Sequence, residues 1–217
     1  NIFPIYKKLR YIVKKDDLLK PSSIFTNQLK IFIQDNKLTK PNQAWSTDFT
    51  YLPYRYSFLY LSTVIDTYTK EILGFHISKR HTTEMTLAAL KMATSGRGHP
   101  MIHHSDQGSE YKAESYQQYL QDNNIICSMS KKSSPWENGY QESFYGKYRY
   151  ELGNLNRFKT EIEAIEAIIL QLHYYNNKRI HTTIRDTPVL FRQKELKRLR
   201  LEEETKVSSF SRAGQLD

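Results

Sequence analysis

The chain has 217 residues, of which 39% are hydrophobic and 25% charged, a balance typical of a globular domain and not of a disordered segment. No apolar run reaches the ~20 residues needed to cross a bilayer, so a membrane partner is not expected. Cys127 is the only cysteine, which excludes an intramolecular disulfide or a multi-cysteine zinc module and favours a reducing, cytoplasmic location.

The formal net charge of +9 is unevenly distributed. Residues 1–44 carry +6, residues 45–130 carry −1 and residues 131–217 carry +4. Basic flanks around a neutral centre favour a protein that binds a polyanion such as a nucleic acid. A solvated basic surface without a partner remains the alternative.

The N-terminal segment, residues 1–42, contains helical patterns at about 4–15 and 22–35. It is interpreted either as a basic helical arm or as part of a helix-turn-helix. The sequence "TKPNQ" then interrupts the pattern, and Pro41 marks a boundary near residue 42.

From Trp45 onward the pattern changes to strands. Three segments rich in β-branched and aromatic residues, "AWSTDFTYLPY", "SFLYLSTVIDTY" and "EILGFHISK", predict an antiparallel meander. A helix, the strand "PMIHHSDQG", a second helix and the strand "IICSMS" follow. Because alternating helices and strands require crossover connections, the sequence predicts an α/β fold with a five-stranded mixed sheet flanked by helices.

The C-terminal third predicts a long amphipathic helix and a tail. Thr160 and Glu163 form a capping-box pattern. The expected apolar face of the helix comprises Ile162, Ile165, Ile169 and Leu172. The final segment, "LEEETKVSSFSRAGQLD", has no apolar period and is expected to be a weakly ordered tail.

Three carboxylates stand out as candidate metal ligands. Asp48 lies in the first strand, Asp106 lies where the fourth strand ends, and Glu142 follows Asp106 after 35 intervening residues. If the first and fourth strands are adjacent, the two aspartates meet. Converging carboxylates raise one another's pKa unless a divalent cation neutralises them, and oxygen ligands select Mg²⁺ or Mn²⁺ over Zn²⁺. The alternatives are an edge-strand Asp48, an Asp106 that caps a turn and a solvated Glu142.

Five other residues stand out in the sequence. His103 and His104 near Asp106 suggest zinc, but strand alternation sends their rings to opposite faces. Asp66 is either a fourth acid of the site or the partner of a nearby Lys or Arg. Trp45 is expected to pack in the core, while His181 is expected to order the loop after the long helix.

The local contexts of the three acids resemble a known family. "WSTDFTY", "HSDQGSEY" and "SPWENGYQESF" resemble the catalytic blocks of bacterial insertion-sequence transposases related to retroviral integrases, and "YNNKRIHTTIRDTPVLF" resembles the closing block of that family. The resemblance runs from about Gln43 to Phe191. It implies a ribonuclease H-like fold for a catalytic core over residues 43–193, followed by a basic helix end and flexible tail at 194–217.

By that resemblance, Asp48, Asp106 and Glu142 are the catalytic ligands of two Mg²⁺ ions, for which Mn²⁺ can substitute. The implied activity is DNA 3′-end cleavage and strand transfer for a mobile element, acting on element ends and target DNA near the nucleoid. A homodimer or larger assembly is expected, because two ends must be held together. The alternatives are a nuclease of the same fold that only hydrolyses, and a DNA-binding relic.

The segment around Glu142 also supplies candidate DNA-binding residues. A loop is expected through Gly139, with Glu142 in the first turn of a helix, although Pro135 could equally begin that helix. Helical spacing places Arg149 on the same face as Glu142, and Phe144, Tyr148 and Leu152 toward the sheet. Arg149 can grip a phosphate, with a salt bridge as the alternative. The candidate DNA contacts are Arg149, Lys147, Asn138, Lys131 and Lys132.

Overall fold

The computed structural model describes residues 27–35, 37–130 and 139–213. Its strands are β1 (Ala44–Tyr54), β2 (Ser57–Asp66), β3 (Ile72–Ser78), β4 (Ile102–Ser105) and β5 (Ile126–Met129). They form one sheet in the order β3-β2-β1-β4-β5. β1 pairs antiparallel with β2 and parallel with β4, and β5 is parallel to β4. The prediction of a five-stranded mixed sheet is therefore confirmed.

Helices connect and flank these strands. They are α1 (Gln28–Gln34), α2 (Thr83–Arg97), α3 (Ser109–Lys112), α4 (Glu114–Asp122), α5 (Gly139–Leu152), α6 (Glu161–Asn177) and α7 (Pro188–Ala213), with a 3-10 turn at Leu155–Arg157. The predicted helix at 4–15 lies outside the described residues, and α1 is the described part of the one predicted at 22–35. Within the described ranges, none of the helices combines the length and apolar character that a bilayer span requires.

Each face of the sheet packs against its own pair of helices. On one face, α5 and α6 cover Leu52, Leu61 and their neighbours from β1 and β2. On the other, α2 and α4 cover Trp45 and Val64. Since neighbouring strand residues point to opposite faces, this arrangement sends Asp48 toward α5 and sends Phe49 and Tyr51 toward the side of α2. Trp45 is fully buried, as predicted.

The N-terminus of α6 has the predicted capping box: Thr160 accepts from the backbone N–H of Glu163, and the Glu163 carboxylate accepts from the backbone N–H of Thr160. The predicted apolar face is confirmed for Leu172, which is buried, and for Ile165, which packs against the core, but not for Ile162 and Ile169, which are 78% and 42% exposed. The other buried residues are Ala164, Ile168 and Tyr175. The helix carries more apolar residues than one face can bury, so spacing alone does not identify the buried stripe.

The C-terminal segment also differs from the prediction. Residues 201–213, expected to be a weakly ordered tail, continue α7 to Ala213. Helical pairs support this extension, since Arg198 contacts Glu195 at 2.8 Å and Glu202 at 2.5 Å. Such i,i+3 and i,i+4 pairs, together with good helix formers, compensate for the missing apolar period.

The close approach of α2 to β3 depends on Gly74. A Cβ atom there would overlap the Ala89 carbonyl oxygen and lie 2.6 Å from the Ala93 backbone nitrogen. We expect Gly74→Ala to lower the free energy of unfolding by about 1–3 kcal/mol, because two backbone segments must separate. Urea titration followed by circular dichroism measures this loss.

The matched control is Gly96→Ala within α2. An added Cβ at Gly96 meets nothing within 4 Å, so this change should stabilise the helix by up to about 1 kcal/mol. Equal effects of the two substitutions would contradict the close packing of α2 on β3.

Candidate functional site

The parallel pairing of β1 with β4 brings Asp48 and Asp106 to one edge of the sheet. Ser46 is in register with His104, and each aspartate lies two residues beyond its member of this pair. The condition on which the sequence prediction depended, that the first and fourth strands are adjacent, is therefore met. Beyond Ser46, no described strand continues the pairing on this side of β1, so the carboxylates lie where the edge becomes open.

Local hydrogen bonds hold both aspartates. The Asp48 carboxylate accepts from the backbone N–H of Phe49 at 2.8 Å, and the Asp106 carboxylate accepts from the backbone N–H of Gly108 at 2.9 Å. Asp106 thus does cap a turn, as the alternative interpretation expected. Gln107 donates to the Ser130 carbonyl at 3.1 Å and ties this turn to the end of β5.

Glu142 lies in the first turn of α5 and is exposed, as predicted. Gly139, expected to belong to a loop, is instead helical, and the alternative start at Pro135 lies outside the described residues. Two buried side chains fix that turn against β1. Gln141 donates to the backbone carbonyl and the hydroxyl of Ser46 at 2.8 and 3.0 Å. Tyr145 donates to the Asp48 carbonyl at 2.7 Å. Because these contacts flank Glu142, the position of its backbone relative to Asp48 is set by the fold.

The site is strongly acidic in its electrostatics. Burial raises the pKa of the Asp48 carboxyl to about 7, and repulsion from Asp106, Glu110 and Glu142 adds to this rise. Burial is also the main cause of the raised pKa of Asp106, to which Glu110 again contributes. Asp106, Glu110 and Glu142 therefore all act on Asp48, and Glu110 also acts on Asp106.

Glu110 is a member of this group that sequence reasoning missed. Its side chain is buried and contacts His81 Nε2 at 3.3 Å, while Ser109 donates to its other oxygen. A Cβ atom at Gly108 would overlap the Glu110 carboxylate. The signal that could have found it is its place in "SDQGSEY", one helical turn after Asp106.

The coupled carboxylates are not drawn into a tight cluster. In the described part of the chain, no three His, Cys, Asp or Glu side chains are close enough to hold a metal ion as they stand. Glu142 is solvent-exposed while Asp48 and Asp106 are half-buried. The structure thus places Asp106 and Glu142 near enough to Asp48 for both of their charges to raise its pKa.

The candidate DNA contacts divide into two groups. Arg149 and Lys147 are exposed on α5. Within the described residues Arg149 forms no ion pair, so the salt-bridge alternative finds no support there. Phe144, Tyr148 and Leu152 are buried, which confirms their predicted packing. Asn138, Lys131 and Lys132 lie outside the described residues.

The remaining polar candidates have structural roles. His103 hydrogen-bonds the Tyr116 hydroxyl and His104 hydrogen-bonds the Ser128 hydroxyl, each at 2.8 Å. The two imidazole rings therefore have different partners, as expected for neighbours that point to opposite faces of a strand. His181 orders its loop through a backbone hydrogen bond to Asp186, also as expected.

The interpretation of Asp66 as a fourth acid of the site is wrong. It accepts backbone N–H groups of Asn42, Tyr68 and Thr69 at 2.6 to 2.9 Å. It is paired across strands with Trp45, three residues before Asp48 and toward the other end of β1. Its carboxylate organises the β2–β3 turn and interacts electrostatically with Lys70, which agrees with the alternative of a nearby basic partner.

The fold is that of a known class of enzyme domain. The catalytic core domain of HTLV-2 integrase, solved in complex with magnesium, superimposes with a TM-score of 0.59 at 21% identity, over 70% of this chain and 97% of that one. The architecture is therefore the ribonuclease H-like fold of integrase catalytic cores.

Sequence comparisons give the family. Two family models described as the integrase core domain match residues 39–135 and 123–188. The chain is 37% identical to the transposase for insertion sequence element IS904 of Lactococcus lactis over 82% of its length, and 37% identical to the uncharacterized 31 kDa protein of insertion element IS600 of Shigella sonnei over 72%. It spans 68% and 59% of those two relatives. The chain belongs to the insertion-sequence transposases with an integrase core domain.

Buried His103 generates a prediction about acid stability. Burial, with a smaller contribution from His104, lowers the pKa of His103 from 6.5 to about 3. The unfolded chain takes up this proton near pH 6.5 and the folded chain does not. The contribution of His103 to the free energy of unfolding is therefore fully present above pH 6.5 and is lost as the pH drops toward 3, by about 2 kcal/mol at roughly pH 5.

We expect His103→Gln, which can still bond Tyr116, to flatten the pH dependence of the free energy of unfolding between these limits. Urea titrations at a series of pH values measure the slope. The exposed His173 carries the control substitution, His173→Gln. If the His103 variant kept the wild-type slope, the neutral buried imidazole would be contradicted.

Proposed function

We propose that this chain is the catalytic portion of a transposase that carries out metal-dependent cleavage of DNA 3′ ends and strand transfer. The observation that carries the proposal is the electrostatic coupling of Asp48 with Asp106 and Glu142 at the open end of the β1–β4 pairing. Membership of the insertion-sequence transposases supplies the class of substrate, which is DNA.

The donor set suits hard divalent cations. It consists of carboxylate oxygens, which favour Mg²⁺ or Mn²⁺, and their mutual repulsion is the cost that a bound cation would offset. Asp48, Asp106 and Glu142 would hold two Mg²⁺ ions, with Mn²⁺ able to substitute. Bound there, the ions would supply activation of the attacking oxygen and stabilisation of the departing one.

The chain's own residues supply position and access. Gln141 and Tyr145 hold the first turn of α5 on β1, so Glu142 is fixed at its backbone while its exposed carboxylate can adjust. Arg149 and Lys147 extend from the same helix into solvent, where they would bind DNA phosphates. Asn138, Lys131 and Lys132 are proposed as further DNA contacts on the segment before α5.

The assembly is proposed from the reaction. Strand transfer at a mobile element joins two ends to target DNA, so two copies of the site must be held together. A homodimer or larger homo-oligomer on DNA would provide them. The HTLV-2 integrase core with magnesium has been described in a trimeric form, which shows that such a core can self-associate.

The decisive experiment is metal-dependent joining of labelled element-end oligonucleotides to target DNA. We expect Glu142→Gln to lower the joining rate by more than about 100-fold, because loss of even a residue that only supports a metal ligand can cost up to roughly that factor. Folding and DNA binding measured without divalent ions should be retained. Glu166→Gln, at an exposed position on α6, is the matched control.

Other outcomes of that assay assign other functions. Cleavage without joining would indicate a nuclease of the same fold that only hydrolyses. DNA binding with neither reaction would indicate a DNA-binding relic. Joining at the wild-type rate by the Glu142 variant would overturn the assigned site.

A second prediction concerns metal and stability. Because divalent cations would relieve the repulsion at Asp48, we expect MgCl₂ to raise the melting temperature. At an ion concentration roughly 100 times the dissociation constant the rise should be about 5–10 °C. Asp48→Asn should lose most of that rise, as measured by differential scanning calorimetry. NaCl at equal ionic strength is the control, and an equal rise in wild type and variant would contradict binding at this site.

A further inference from the structure

Four rings on the outer half of the β1–β2 hairpin form a continuous line with His81, which lies between β3 and α2. We call Phe49, Tyr51, Phe58, Tyr60 and His81 the aromatic strip. Phe49 stacks on His81 with centroids 3.8 Å apart, and Tyr60 lies 6.0 Å from His81 in a nearly parallel orientation. Phe58 then contacts both Tyr60 and Tyr51, at 6.4 and 5.4 Å.

The aromatic strip is not part of the core. The opposite face of the same hairpin carries buried Leu52, Tyr54 and Leu59 beneath α5 and α6. The strip face is on the side of α2, but Tyr51 and Phe58 remain 53% and 43% exposed. Clustered exposed rings are uncommon on a monomer surface and mark a binding site.

One end of the strip adjoins the acidic site. His81 contacts Glu110, whose charge acts on Asp48 and Asp106, and Phe49 directly follows Asp48. Asp48 and the strip lie on opposite faces of β1, but beyond Ser46 no described strand covers the intervening edge. A flexible chain crossing that edge could contact the carboxylates and the rings at once.

The charges around the strip favour a polyanion. Lys79 and Arg80 precede His81 in the sequence. The Arg55 guanidinium instead lies over the Tyr54 ring, on the opposite face of the hairpin, and donates to the Lys159 carbonyl. Lys79 contacts Glu161 at 2.8 Å, whereas Arg80 is exposed and forms no ion pair with any described residue. None of the five strip residues is acidic. Rings flanked by cations are the usual means of binding unpaired nucleic acid.

We propose that the aromatic strip is a stacking platform for unpaired DNA bases next to the catalytic carboxylates. This proposal rests on the proposed function, which supplies DNA as the substrate. Bases within a duplex are already stacked on one another, so the rings gain contact only with bases that have left the duplex. The strip would hold the nucleotides beside the reacting phosphate in an opened conformation.

The test compares two DNAs in the absence of divalent ions. One is a duplex with a short unpaired thymidine extension, and the other is a blunt duplex with the same number of phosphates. We expect the full 217-residue chain to bind the extended DNA about 10-fold more tightly in fluorescence anisotropy, the gain from stacking roughly one base. The double variant Tyr51→Ala/Phe58→Ala should bind both DNAs equally.

Two further variants separate stacking from general effects. Tyr51→Phe keeps the ring and should keep the preference. Tyr174→Ala removes a tyrosine of similar exposure, 47%, from α6 and should also keep it. Thermal unfolding checks the fold, and if the double variant unfolds, Tyr51→Ala alone provides the comparison.

The proposal is overturned if the wild-type chain has no preference, or if the double variant retains it. Ultracentrifugation adds one more decisive outcome. A double substitution that dissociates an oligomer and leaves the DNA preference intact would make the strip an interface between copies of this chain. Because binding is measured without divalent ions, its result is independent of whether the joining assay supports the proposed function.

Discussion

The parallel pairing of β1 with β4 is the contact on which the candidate site depends. Asp48 and Asp106 are separated by 57 intervening residues, and β2, β3 and α2 all lie between them. A crossover of this length is what parallel neighbours require. Since the pairing stops at Ser46 and His104, it aligns the strands and then leaves both carboxylates beyond the last paired residues.

Keeping several carboxylates together has an energetic cost that the surrounding structure must offset. Burial and repulsion raise the pKa of Asp48 to about 7, so the ionised state is disfavoured there. The buried Tyr145 hydroxyl hydrogen-bonds the backbone carbonyl of Asp48 and the hydroxyl of Thr63. Gln141 adds its two bonds to Ser46, although its buried carbonyl oxygen has no partner within the described residues. Buried polar side chains of α5 thus hydrogen-bond the sheet beneath the site, and such a network keeps the carboxylates in place.

The sequence predicted those features that local pattern determines. Strand alternation placed Asp48 on the face of Ser46, cap chemistry located the start of α6, and spacing along α5 correctly separated Glu142 from Phe144, Tyr148 and Leu152. Tertiary contacts decided the rest. The three backbone N–H partners of Asp66 could not be predicted, because backbone groups of a turn carry no side-chain signature in the sequence.

Glu110 was missed for a related reason. Its relation to Asp48 exists only through the β1–β4 pairing, and its burial depends on the one-turn helix α3 that follows β4. The apolar face of α6 was only partly predicted because several stripes compete on one helix. A residue whose role arises from two distant elements cannot be identified by the periodicity of either one.

The acids near the two ends of β1 have different surroundings. Near the start of β1, Asp66 is satisfied by three backbone donors, and Glu71 contacts Arg97 at 2.7 Å and Arg192 of α7 at 3.4 Å. These carboxylates meet positive or hydrogen-bond-donating groups and fasten α2 and α7 to the sheet. Farther along β1, Asp48 meets other carboxylates instead. Folding alone gives no reason to retain that second arrangement, since replacing a repelling acid by a neutral residue would remove its cost. The divalent cation and the DNA of the proposed function would give such a reason, because the acids would bind the cation and the cation would offset the charge of the DNA phosphates.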